Sequence, residues 1–153
     1  MGARRFNHEI TLNFLKSRAE HGNFTSFIQV TRHYGIADQD WPHIYVLLYR
    51  HLDQFVGFCV ENKTPPLSVL VVARYELKRG LMSARQMKRL ALALHKYGYD
   101  RPLTKLRVLG LQNECFYWAR QAPMEERQGD GFVKPAFSQL RPAGTKIYTN
   151  IRY

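Results

Sequence analysis

The chain has 153 residues, the usual size of one domain, and its 45% hydrophobic and 13% aromatic content is typical of a globular protein. No apolar run approaches the roughly 20 residues that a membrane span needs, and the N-terminus lacks the apolar stretch of a secretory signal. We therefore expect a single cytoplasmic domain over residues 1–153, with no membrane partner and no cofactor.

The positive charge is concentrated in one part of the chain. Lysines and arginines number 23 against 12 acids, which gives a net charge of +11. Residues 74–107 hold ten of these bases with two acids, a net +8, whereas residues 1–73 carry +1 and residues 108–153 carry +2. Because clustered charge opposes folding through self-repulsion, the cluster favours a polyanionic partner, and we expect nucleic acid, with DNA and RNA both open. The expected contact residues are Arg74, Lys78, Arg79, Arg85, Lys88, Arg89, Lys96, Arg101, Lys105 and Arg107.

Apolar residues recur at helical spacing in the first part of the chain. They predict helices over residues 8–21, 26–33 and 41–60. Asp40 is a favoured N-cap residue and Pro42 suits a first helical turn, so the third helix has a well-marked start.

Residues 25–73 have the order of a winged helix-turn-helix: a short helix, a turn at Gly35, a longer helix and a β-branched strand over 67–73. In such a module the second helix reads bases in the major groove. The residues that would do so are Gln39, Trp41, His43 and Arg50. Asp38 and Asp40 would repel phosphates there, so a purely structural helical pair is the alternative.

The best-defined helix covers residues 83–98. Ser83 and Gln86 have the spacing of a capping box, and Gly98 is a typical helix stop. One face of this helix is apolar, and the opposite face carries the cations Arg85, Lys88, Arg89 and Lys96. Cations in this arrangement favour contact with successive phosphates. Three tyrosines interleave with the bases, placed either to stack on unpaired bases or to pack at the core edge: Tyr75, Tyr97 and Tyr99.

A further helix is predicted over residues 100–121, with Asp100 and Pro102 at its start. Its expected core face is Leu103, Leu106, Leu109 and Phe116. The segment 122–153 is rich in proline and glycine and has strand-like pieces at 132–137 and 146–151, so we expect it to pack on the domain or to be partly flexible. The predicted fold class is α+β: a mainly helical domain with a small antiparallel sheet, similar to a winged helix.

Chemical motifs are sparse in this sequence. Cys59 and Cys115 lie in apolar surroundings and are expected to be buried thiols in a reducing compartment, and the histidine spacing indicates no metal site. Glu76-Leu-Lys78 has the spacing of half of a metal-dependent nuclease site, for which Asp53 would supply the other metal ligand. The pattern is short, so we expect a protein that is not an enzyme, with a nuclease as the enzymatic alternative.

The stretch from Phe58 to Val72, with its aromatic-Cys pair, Pro65-Pro66-Leu67 and Leu-Val-Val run, resembles a segment of small uncharacterised prokaryotic proteins of phages and other mobile elements. Trp41-Pro-His43 resembles the same group, and the resemblance covers about residues 25–75. After it, this chain continues with a basic segment where that group has a Gly/Pro-rich turn. The resemblance implies a mobile-element context and no particular activity.

The clustered charge predicts a nucleic-acid-binding protein that uses a basic surface centred on residues 74–107, and the resemblance adds a phage or mobile-element context. Two alternatives come from other classes. One is an inhibitor or adaptor that docks on an acidic protein partner, as in conflicts between mobile elements and host defence. The other is the metal-dependent nuclease.

Overall fold

A computed structural model describes residues 6–99 and 101–128, with side chains as far as residue 121. The described chain is mainly helical. Its five α-helices are α1 (His8–Glu20), α2 (Phe27–His33), α3 (Trp41–Glu61), α4 (Ala84–Lys96) and α5 (Lys105–Gln128). Two short strands, β1 (Thr25–Ser26) and β2 (Val71–Val72), and three 3-10 turns at Asp38–Asp40, Leu67–Leu70 and Arg74–Glu76 complete it.

Side-chain caps fix the starts of α1, α2 and α4. The Asn7 side chain accepts a hydrogen bond from the Ile10 amide at the start of α1, and Ser26 forms a capping box with Gln29 before α2. The predicted capping box of Ser83 before α4 is confirmed. Helix α3 begins at Trp41 with Asp40 as its N-cap residue and Pro42 in its first turn, as predicted. The Asp40 side chain makes no capping bond, and a 3-10 turn leads into the helix.

A buried segment, residues 65–72, forms the centre of the fold. Its middle is the 3-10 turn Leu67–Leu70, and only Val71–Val72 forms a strand, so most of the strand predicted over 67–73 is not a strand. Helices α1, α3 and α5 all contact the 3-10 turn. Helices surround this segment, so its apolar residues are buried on every side. A continuous apolar run of this kind does not distinguish a strand from another buried segment.

The predicted antiparallel sheet and winged-helix architecture are wrong. The sheet of the described residues has two strands that run parallel, with Thr25 opposite Val71 and Ser26 opposite Val72. The β element after α3 therefore returns to the residue pair that precedes α2 and forms no wing. The strand-like pieces at 132–137 and 146–151 lie outside the described residues.

Helix α5 differs from its prediction at both ends and in its buried face. It begins at Lys105, where the Thr104 hydroxyl accepts a hydrogen bond from the Arg107 amide, and it continues past residue 121 to Gln128. Leu106, expected in the core, is 65% exposed, whereas Gln112 is buried. The buried face of α5 includes polar residues, so the apolar pattern did not coincide with it. The pattern therefore predicted the wrong rotation of α5 about its axis.

One glycine is required by the turn between the central segment and α4. Gly80 has a φ of +69°, and the Phe24 ring lies against it so closely that a Cβ atom would be 2.2 Å from the ring. Its carbonyl oxygen accepts a hydrogen bond from Gln112 of α5. The turn is thereby held against the body of the protein, and it sets where α4 begins.

Within the described residues, no helix is both long enough and apolar enough to cross a membrane.

Candidate nucleic-acid interface

Helix α4 presents a basic face to solvent. Leu90, Ala93 and Leu94 are buried, and the helix packs on α3. This burial fixes the rotation of the helix and leaves Arg85 and Lys88 exposed. Within the described ranges neither cation has an ion-pair partner, and both charges remain available to an anionic ligand.

Arg89 is held in place by α3. Its guanidinium forms an ion pair with Asp53 at 2.9 Å and lies over the Tyr49 ring, 5.2 Å from the ring centre. Burial raises the pKa of the Asp53 carboxyl, and the positive charge of Arg89 opposes that rise. Arg89 therefore joins the two helices and contributes less free positive charge than Arg85 or Lys88.

An aromatic stripe runs along α3 beside this face, formed by Trp41, Tyr45 and Tyr49. The residues are four apart, so they share one side of the helix. The Trp41 and Tyr45 ring centres are 5.9 Å apart, and those of Tyr45 and Tyr49 are 5.7 Å apart. Tyr45 is 39% exposed, so its ring is accessible to a ligand. Sequence reasoning placed Trp41 in a recognition helix and missed the stripe, although its spacing of four was readable.

A groove of about 300 Å³ lies between α3 and α4 and joins the aromatic stripe to the basic face. Its apolar lining comes from α2, α3, α4 and the central segment: Phe27, Tyr49, Leu52, Val56, Val71 and Leu90. Arg85, Lys88 and Arg89 line it as well, with Asp53 paired to Arg89. The volume lies at the lower end of the range for small-molecule pockets, roughly 300–1,000 Å³. We call this cavity the α3–α4 groove.

The bases before α4 have acidic neighbours. Arg79 pairs with Glu76 at 3.0 Å, and Arg74 lies close enough to Asp38 to lower the pKa of that carboxyl, although Arg32 does so more strongly. Lys78 is exposed. Acidic side chains thus offset part of the positive charge of the segment before α4.

The bases after α4 lie in the loop before α5 or in the first turn of that helix. Arg101 and Lys105 are exposed and Arg107 is half-buried at the start of α5, which packs on α1, whereas α4 packs on α3. Lys96, at the end of α4, lies over the ring of Tyr97, 5.7 Å from its centre. Of the ten expected contact residues, the structure groups Arg85, Lys88 and Arg89 around the α3–α4 groove.

The three tyrosines of the basic stretch have different environments. Tyr75 is 83% exposed. The Tyr97 ring packs against Gly57 of α3, and burial raises the pKa of Tyr99 to about 12. Tyr75 remains the one of these three placed to stack on a base.

The two acidic residues proposed for a nuclease site are each paired with an arginine. Asp53 pairs with Arg89 and Glu76 with Arg79. Among the described residues, no group of three histidine, cysteine or acidic side chains is arranged to hold a metal ion. The geometry therefore gives no support to a metal centre at Asp53, Glu76 and Lys78.

The residues proposed to read bases in the major groove lie at the surface. Gln39, His43 and Arg50 are exposed near or on α3, but Asp38 beside them is held by Arg32 at 2.6 Å.

The prediction that Cys59 and Cys115 are buried free thiols is confirmed. Burial raises the pKa of Cys59 to about 11 and that of Cys115 as well, so both are unreactive as thiolates at neutral pH.

Comparison with known proteins gives no assignment: no family model, curated protein or solved structure matches this chain. The resemblance of residues 25–75 to mobile-element proteins stays a prediction. Function is therefore argued from the geometry of α3, α4 and the groove between them.

Proposed function

We propose that this protein binds single-stranded nucleic acid on the surface formed by the basic face of α4 and the aromatic stripe of α3. The observation that carries the proposal is that Arg85 and Lys88 line one groove with Tyr49, whose ring contacts that of the exposed Tyr45. Cations that follow a backbone, with aromatic rings on which bases stack, are the two features of sequence-tolerant single-strand binding.

The aromatic component favours a single strand over a duplex. In a duplex the bases are stacked inside the helix, so Tyr45 would gain no stacking partner. Phosphate contacts by Arg85 and Lys88 would form with either ligand. We therefore expect the protein to bind single-stranded oligonucleotides more tightly than duplexes of the same sequence at equal salt concentration.

The double variant Arg85→Gln/Lys88→Gln tests the basic face. Removing two phosphate contacts should weaken binding of a dT oligonucleotide about tenfold near physiological salt. It should also flatten the plot of log K against log salt by about 1.4, or roughly 0.7 per phosphate of a single strand. Fluorescence anisotropy at several salt concentrations measures both quantities.

Lys63→Gln/Arg120→Gln is the matched control, because it removes the same charge from exposed positions that do not line the groove. It should leave the salt slope nearly unchanged. Equal losses in the two double variants would mean that net charge alone drives binding and would contradict the proposed surface. If the unaltered protein fails to bind any oligonucleotide at low salt, the proposal is wrong, and the protein-partner alternative becomes the next to test.

A further inference from the structure

Ser68 is a polar residue in the apolar lining of the α3–α4 groove. It is 8% exposed, and its hydroxyl has no hydrogen-bond partner among the described residues. Burying a hydroxyl without a partner costs free energy, and native structures seldom leave such a group unsatisfied. Its hydroxyl oxygen is covered, but Ser68 lines the groove, so rotation about its χ1 angle can bring the hydroxyl to a ligand there, which then supplies the missing partner.

The other walls of the groove restrict the chemistry of that ligand. Phe27 and Tyr49 meet edge to face with ring centres 5.2 Å apart, and aliphatic side chains of Leu52, Val56 and Leu90 complete the apolar lining. These walls suit a flat, largely apolar group. A free phosphate would gain nothing from them, and an aliphatic chain would leave the Ser68 hydroxyl unpaired.

The cationic residues of the groove add a third requirement. Arg85 and Lys88 line it together with the aromatic residues, so a ligand that fills the groove lies within reach of their charges. A planar apolar group with a hydrogen-bonding edge and an attached anion matches all three features. A nucleobase with its phosphate is a ligand of this description.

We propose that the α3–α4 groove takes one unstacked nucleobase of the bound strand, with the Ser68 hydroxyl bonded to the base edge and Arg85 and Lys88 on its phosphates. This inference rests on the proposed function and adds a base-binding site to it. Moving a base out of its stack costs least in a single strand, which agrees with a single-stranded ligand.

The test compares a dT oligonucleotide with an oligonucleotide of the same length in which every site is abasic. The two have the same phosphates, so the ratio of their affinities measures the contribution of the bases. Ser68→Ala should lower affinity for the dT oligonucleotide about threefold to tenfold, the value of one hydrogen bond, and leave the abasic affinity unchanged. The salt slope should stay the same in this variant, because no phosphate contact is lost.

Two further variants keep the test specific. Ser17→Ala, at an exposed serine of α1, is the matched control and should leave both affinities unchanged. Met82→Trp, at a half-buried residue that lines the groove, should reduce the dT affinity by obstructing the groove and leave the abasic affinity unchanged. Circular dichroism confirms that each variant is folded.

Thymidine monophosphate distinguishes a base within a strand from a free nucleotide. As a competitor it should displace the dT oligonucleotide only at concentrations far above those at which the oligonucleotide itself competes, because it offers one phosphate. Competition at lower concentrations would show that the groove serves a free nucleotide and would overturn this inference.

The two proposals fail in different ways. Salt-sensitive binding of the dT oligonucleotide that is the same in Ser68→Ala and the unaltered protein would overturn the base site and leave the proposed function standing. No binding of either oligonucleotide by the unaltered protein would overturn the proposed function and the base site together.

Discussion

At the scale of single residues, His51 is a buried imidazole in a hydrogen-bonded chain. Its Nε2 atom lies 2.7 Å from the Thr11 hydroxyl, which is 2.7 Å from the Tyr34 hydroxyl, and Tyr34 in turn donates to the backbone oxygen of Asn7. Burial, with a smaller contribution from the charge of His8, lowers the pKa of His51 from 6.5 to about 4. The network ties the start of α1 to α2 and α3.

This pKa predicts a loss of stability on acidification. The folded protein resists protonation of His51 down to about pH 4, whereas the unfolded chain takes up that proton near pH 6.5. The contribution is therefore complete above about pH 6.5 and is lost progressively as the pH falls towards 4. Urea unfolding midpoints measured across this range should decline more steeply in the unaltered protein than in His51→Gln, which cannot titrate. Parallel declines would contradict this assignment.

At the scale of elements, one side chain of α5 fastens the central segment to the turn before α4. The Gln112 amide donates to the carbonyl oxygens of Val69 at 3.0 Å and Gly80 at 2.8 Å, and the residue is 2% exposed. Residues 67–70 lack the ladder of a sheet, so this amide supplies part of the hydrogen bonding that strand neighbours would have supplied.

Gln112→Leu should destabilise the protein strongly. It keeps most of the side-chain volume but leaves two buried carbonyl oxygens unpaired, and each costs about 1–3 kcal/mol. We expect the free energy of unfolding to fall by about 2–4 kcal/mol in a denaturant titration. Gln54→Leu, at an exposed glutamine of α3, is the control and should change it by less than about 0.5 kcal/mol. A similar small change at Gln112 would show that these bonds carry little stability.

At the scale of the whole molecule, the net charge of +11 opposes folding. Ion pairs such as those of Arg89 with Asp53 and Arg32 with Asp38 offset part of this charge, but the 23 bases outnumber the 12 acids. Repulsion among the remaining cations is the cost of maintaining a surface that attracts a polyanion.

The stability of the free protein should therefore rise with moderate salt. Raising the ionic strength from about 0.01 to about 0.15 M shortens the screening length from about 30 to about 8 Å and weakens the repulsion. We expect a higher thermal unfolding midpoint, with a smaller increase in Arg85→Gln/Lys88→Gln. A midpoint that falls with salt would mean that the attractive ion pairs outweigh the repulsion.

Local signals predicted the helices well and the sheet poorly. The helix starts at His8 and Trp41 and the capping box of Ser83 depend on neighbours within one turn, and all three agree with the structure. The prediction of an antiparallel sheet was wrong because an apolar run after Pro65-Pro66 has the pattern of a strand whether it lies in a sheet or among helices. The core face of α5 failed because buried Gln112 is polar and exposed Leu106 is apolar.

The sequence by itself determined the cationic cluster at 74–107 and the helix that carries its outward-facing cations, because charge and helical periodicity are local properties. Only the tertiary structure brought Phe27, Tyr49 and Ser68 to Arg85 and Lys88. These residues are far apart in the chain and meet only when α2, α3, α4 and the central segment pack together. The tertiary structure also reduced the effective charge, by placing Asp53 against Arg89 and Glu76 against Arg79. Packing thus converted a basic stretch of chain into a groove with aromatic walls.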